Sequence, residues 1–98
     1  MTADVLTTIF GDAVQVKLVE FFITHDENLY KLTEIAELVG VTHSRVHDLI
    51  GKLVSIRLIY ETRSGRIRLF NLNNDHPIVK SLKELYRVTR AYKIAAEI

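Results

Sequence analysis

The sequence predicts an α+β chain that is mainly α: three short helices that share a core, a β-hairpin after them, and one long helix at the end. Three observations predict it. Apolar residues recur at helical spacing in three successive segments up to about Val54. Two runs of strand-forming residues then flank a Ser-Gly pair. Finally, His76-Pro77 opens a run whose apolar positions step by four and three.

The first helix is read from Asp12 to His25, where Ala13, Val14, Val16, Leu18, Val19, Phe21, Phe22 and Ile23 lie too densely for a one-sided stripe and predict a largely buried rod. Gly11 and Asp12 start it, and the polar run His25-Asp26-Glu27-Asn28 stops it. Upstream, Val5, Leu6, Ile9 and Phe10 fit either a short helical turn or an arm. Residues 32–39 read Leu-Thr-Glu-Ile-Ala-Glu-Leu-Val, with apolar side chains at 32, 35, 36 and 39 on one helical face. Gly40 ends this second helix, because a residue without Cβ accepts the left-handed conformation that follows many helices. Thr42 offers an N-cap oxygen to a third helix, whose stripe Val46, Leu49, Ile50 and Leu53 runs to about Val54.

Leu58 to Arg63 and Arg66 to Leu72 are the strands of a hairpin that turns at Ser64-Gly65, with Ile67 and Leu69 alternating with Arg66, Arg68 and Phe70 around a basic tip. After Asn73-Asn74-Asp75, His76-Pro77 starts the last helix, since the residue before proline avoids the helical region and proline suits the first helical position. This helix is expected to run to the C-terminus.

A chain of 98 residues with 48% hydrophobic content closes one modest core, so residues 1–98 are expected to form a single domain. A domain of this size buries only roughly 60–70% of its unfolded surface, which makes a partner surface an expected source of stability. The absence of cysteine excludes disulfides, thiolate metal sites and thiol nucleophiles, and it fits a reducing compartment. Met1-Thr2-Ala3-Asp4 carries no basic cluster, and no apolar run approaches the roughly 20 residues of a membrane span. A cytoplasmic location is therefore expected. The net charge of +1 hides an uneven distribution: residues 1–30 hold one Lys and five acids, residues 31–56 three of each sign, and residues 57–98 nine Lys/Arg against four acids. The C-terminal part can generate a local positive field suited to phosphate.

The strongest motif spans residues 31–53. Ala36 is small enough for a crossing helix to approach, Gly40 turns the corner, and Val46 and Ile50 fill the space beneath the third helix. Thr33 through Val46 thus read as a helix-turn-helix. From Ile9 to Leu72 the chain resembles archaeal winged helix-turn-helix regulators, a group similar to the ArsR and MarR types. The resemblance rests on Ile9-Phe10-Gly11, on the helix-turn-helix, on Leu53 to Ile59 leading into a wing, and on Ser64-Gly65-Arg66 at the wing tip. It implies a winged helix-turn-helix fold with a three-helix core, a β-hairpin wing and a long C-terminal helix. It also implies transcriptional regulation by a homodimer on double-stranded DNA, with the third helix in the major groove and the wing against the backbone or minor groove.

Carried over position by position, the resemblance assigns His43, Ser44, Arg45, His47 and Asp48 to the groove, beside the capping Thr42, with Lys52 towards phosphate. Three positions depart from the pattern. Asp48 is acidic where the group is usually polar or basic, Leu49 stands at a commonly polar position, and Gly51 weakens the helix interior by about 1 kcal/mol relative to Ala. Physically, Arg45 suits the acceptors of guanine, while Ser44 and the histidines suit bases or phosphates. Asp48 suits cytosine, or else a partner such as Arg45 or Lys52. Arg63, Arg66 and Arg68 form the phosphate-binding candidate on the hairpin, although charges there also protect exposed strand edges.

His43 and His47 stand four apart, a spacing compatible with a shared metal ion, but two imidazoles without a third ligand make a weak site, and no metal or other cofactor is expected. No nucleophile and base pair or glycine-rich phosphate loop is recognisable, so an enzyme is not expected. In the last helix Ile78, Leu82, Leu85, Thr89, Tyr92 and Ala96 form a coiled-coil-like seam that predicts dimerisation, with the first helix of the core as its neighbour inside the chain. The alternative is a winged helix that binds protein rather than DNA, which the low net charge and Asp48 would favour.

Overall fold

The structure, a computed structural model, describes residues 5–97, with side chains for residues 6–92 and 94. The elements run α1 (Val5–Phe10), α2 (Val14–Thr24), β1 (Tyr30–Lys31), α3 (Leu32–Val39), α4 (His43–Ser55), β2 (Ile59–Ser64), β3 (Ile67–Leu72) and α5 (Pro77–Glu97). The expected first helix is α2, shorter by two residues at its start and one at its end. The open choice between turn and arm upstream resolves as a helix, α1. Glu20 explains its seat: buried in α2, its carboxylate accepts from the backbone N–H of Leu6 (3.1 Å) and Thr7 (3.3 Å), donors that the start of a helix leaves without an internal partner.

The helix-turn-helix follows from local chemistry. The Glu34 carboxylate reaches back to the Lys31 N–H (2.8 Å) at the start of α3. Gly40 adopts φ 79°, ψ 36° at its end, and the N–H groups of Gly40 and Val41 both donate to the Ala36 carbonyl. Thr42 occupies the N-cap position of α4 with extended dihedrals, but its side chain makes no capping hydrogen bond, so the expected capping role of its hydroxyl is corrected. Val46 and Ile50 are buried under α4 beside Ile35 and Ala36, as the spacing predicts. Leu49 is half-buried against the same core, which accounts for an apolar residue at that position.

A second left-handed corner ends α4. Arg57, at φ 65°, lets its own N–H reach the Val54 carbonyl and the Leu58 N–H reach that of Leu53, the paired bonds of a Schellman motif. Asn73, buried, donates from Nδ2 to the Arg57 carbonyl (2.9 Å) and so ties this corner to the far end of the hairpin.

The sheet is three-stranded and antiparallel in the order β1-β3-β2, so the expected hairpin gains a short edge strand that two residues could not announce in the sequence. The turn is Gly65–Arg66, one residue beyond the expected Ser64-Gly65, because Ser64 stays in the ladder opposite Ile67. Gly65, at φ 62°, takes the positive-φ first position that a type II′ hairpin loop requires. The expected alternation along β3 is inverted: Phe70 and Leu72, on the same side of the strand as Arg68, form its buried face, whereas Ile67 is 44% exposed and Leu69 only half-buried, because the large Phe70 and Leu72 side chains take the side turned to the core.

α5 starts at Pro77 as expected, but inside the chain it packs against α1 rather than lying mainly on α2. An ion pair between Lys83 and Asp26 ties it to the turn after α2.

Candidate nucleic-acid interface

α4 presents a free outer face. His43, Ser44, Arg45, His47, Asp48 and Lys52 are all exposed, as is Thr42: Ser44, Arg45, Asp48 and Lys52 fall on the side away from Val46, Ile50 and Leu53, His47 lies at its edge, and Thr42 and His43 are open because they stand at the start of the helix. Asp48 does not hold Arg45 or Lys52: its carboxylate lies 3.6 Å from Nδ1 of His47, both side chains being more than half exposed. No group of three His, Cys, Asp or Glu side chains gathers around His43 and His47 among the described residues.

The wing stands beside this helix. A groove of about 240 Å³ separates them, lined by Lys31, Leu32 and Thr33 from the β1–α3 junction, His43 and His47 from α4, and Arg66, Ile67 and Arg68 from the wing. Its walls therefore carry three fixed cations and two imidazoles. Lys31 and Thr33 were not singled out by sequence reasoning, because only β1 pairing with β3 brings that junction to the wing.

Of the three wing arginines, two are engaged. Arg68 donates from Nε (2.8 Å) and Nη2 (3.0 Å) to the two oxygens of Glu61, and its guanidinium carbon sits 5.3 Å from the centre of the Phe70 ring. Arg63 Nε lies 3.6 Å from the same carboxylate. Arg66, in the turn, is exposed and has no ion pair among the described residues. The hydrogen bonds from Arg68 hold the Glu61 carboxyl below its ordinary value of 4.5 against the opposing effect of burial, with further attraction from the charges of Arg68, Arg63 and His47. Glu61 is thus a residue of the interface that sequence reasoning missed. The signal was an acid at alternate spacing to Arg63 and across the turn from Arg68, but its partner depends on the register, Glu61 opposite Phe70 and Arg63 opposite Arg68.

In α5 the expected seam divides. Val79 and Tyr86 are buried in the chain's own core, with Leu82 and Thr89 half-buried on the same side. Ile78 (52%), Leu85 (38%) and Tyr92 (75%) remain exposed together with Val88. This outer row lies about a quarter-turn round the helix from the inner one. The side chain of Ala96 lies outside the described residues.

A UPF0122 protein of Ureaplasma urealyticum serovar 10 is 32% identical over 87 residues, an alignment that covers 82% of this chain and 88% of that protein. The chain belongs to the UPF0122 family. The IclR helix-turn-helix domain family also matches, over residues 16–63, from α2 to β2. Among solved structures, MepR, a transcription regulator of the Staphylococcus aureus multidrug efflux pump MepA, superposes with a TM-score of 0.68 at 16% identity, over 99% of this chain and 73% of that one. A MepR variant bound to an oligodeoxyribonucleotide gives 0.69 at 16% identity, over 97% and 69%. The fold is that of winged helix-turn-helix transcription regulators. The archaeal grouping expected from the sequence is not supported, since these relatives and neighbours are bacterial. No helix among the described residues is long and apolar enough to cross a membrane.

Proposed function

We propose that this protein is a cytoplasmic regulator of transcription that binds double-stranded DNA in a sequence-specific way as a homodimer of single-domain chains. One observation carries the reading: the outer face of α4 is uncovered and shares a cationic groove with the wing. α4 is short enough to lie in a major groove with His43, Ser44, Arg45, His47 and Asp48 towards the base edges and Lys52 towards phosphate. The wing contributes Arg66 directly, and beside it Arg63 and Arg68, which share the Glu61 carboxylate as an ion-pair partner. The oligodeoxyribonucleotide complex of the similarly folded MepR variant supports this reading.

The outer row of α5, with the exposed Ile9 and Phe10 of α1, supplies the apolar surface for a second copy. Two copies joined there would set α4 helices in half-sites about 34–36 Å apart.

The test is a retardation assay at low salt, first on random duplex DNA and then on fragments enriched by the protein itself. Binding of the wild type, with preference for the enriched fragments lost in Arg45→Ala at about 1–3 kcal/mol per discriminated base, is the expected result. A wild type that shifts no duplex at high micromolar concentration would leave the protein-binding alternative, for which Asp48 on the exposed face of α4 speaks.

A further inference from the structure

We infer that Glu61 is a positioning residue for DNA binding, one that holds Arg68 as a fixed wall of the groove between wing and α4 instead of opposing the duplex with its charge. The inference rests on the DNA-binding reading above. By charge alone the position looks adverse, since a carboxylate beside a phosphate-binding hairpin should repel the ligand.

Three observations point the other way. The contact with Arg68 is two-pronged, at 2.8 and 3.0 Å, with side chains only 21% and 33% exposed, so the guanidinium is held in a plane and not left to swing. Phe70, directly opposite Glu61 in the ladder, lies beneath the guanidinium and restricts it from a second side. Arg68 in turn lines the groove facing His43 and His47.

The charge arithmetic is consistent. Glu61 neutralises one of Arg63 and Arg68, yet Arg66 at the turn has no ion pair among the described residues, so a phosphate can be met there without breaking one. A backbone running through the groove would then meet Lys31 and Thr33 on one side and Arg66 on the other, with Arg68 setting the width. A free Arg68 would offer one more cation, but it would have to be ordered each time DNA binds, and that ordering opposes binding.

The two roles predict opposite signs. If Glu61 acts only as a repelling charge, Glu61→Gln raises the net charge by one, tightens binding and steepens the salt dependence by about one phosphate contact. If it positions Arg68, Glu61→Gln weakens binding about five- to tenfold in spite of the added positive charge. The measurement is the affinity of full-length wild type, Glu61→Gln, Arg68→Gln and the double variant for one enriched duplex at several salt concentrations. Near-ultraviolet circular dichroism and melting temperature report that each variant is folded.

The expected result is that both single variants bind more weakly and the double variant is no weaker than either. Equal or tighter binding by Glu61→Gln overturns the inference, and so do effects of the two substitutions that simply add. A wild type that does not bind DNA overturns the underlying reading instead, an outcome seen before any variant is compared.

Discussion

Gly51 sits on the exposed face of α4, in the helix interior, and a Cβ added there meets no atom within 4 Å. Glycine at such a position costs helix stability through backbone freedom in the unfolded chain, so Gly51→Ala is expected to stabilise the fold by about 1 kcal/mol in a denaturant titration. If the glycine serves close approach of α4 to DNA, the same variant binds the duplex more weakly while melting later. Glu61 carries the pH prediction. Its folded value lies below the ordinary 4.5, so the stability from its pair with Arg68 is fully present above that value and is lost as pH falls through the lowered folded one. Wild type should therefore exceed Glu61→Gln by a constant margin of about 0.5–1 kcal/mol from neutral pH down to about 5, and the margin should shrink in more acidic solution. A margin that grows on acidification would contradict the pairing.

At the scale of elements, the proposed DNA binding divides the wing and α4 between different terms. Arg66 lies in a turn, makes no ion pair among the described residues and contributes charge without fixed geometry. Arg66→Ala is expected to weaken binding to all duplexes about equally and to lower the slope of log affinity against log salt by about one. Arg45 on α4 should instead alter base preference. Much of this division was legible in the sequence: helix ends at Gly40 and Pro77, the buried stripe of α4 and the basic hairpin are all local patterns. The Gly65–Arg66 turn was misplaced by one residue because Ser and Gly both favour turns, and only the ladder shows which of them stays paired. β1 was not legible, since two residues carry no periodicity and its existence is decided by β3.

The molecule measures 48 × 28 × 20 Å, and α5 leaves the body: beyond Tyr86 no described side chain of that helix is buried. A helical end of this length is marginal in water without tertiary support, which a second copy on Leu85, Val88 and Tyr92 would supply. Leu85→Glu combined with Tyr92→Glu is expected to convert the proposed dimer to a monomer in sedimentation equilibrium while the melting temperature of the wing and core changes little. The monomer should lose at least about tenfold in affinity for a two-half-site duplex and much less for a single half-site. Unchanged mass would show that this surface has another role.

By itself the sequence determined the order and nature of the helices from α2 onwards, the glycine corner of the helix-turn-helix, the hairpin and the residues on the open face of α4. These rest on periodicity and backbone preference within a few residues, which physical chemistry reads from neighbours along the chain. Only the tertiary structure decided that Glu20 seats α1, that Glu61 takes Arg68 out of the free charge of the wing, that Lys31 faces that wing, and that the seam of α5 is shared between its own core and an open face. Each of these joins groups from different elements, and whether two side chains meet across space depends on register and packing that no local pattern contains.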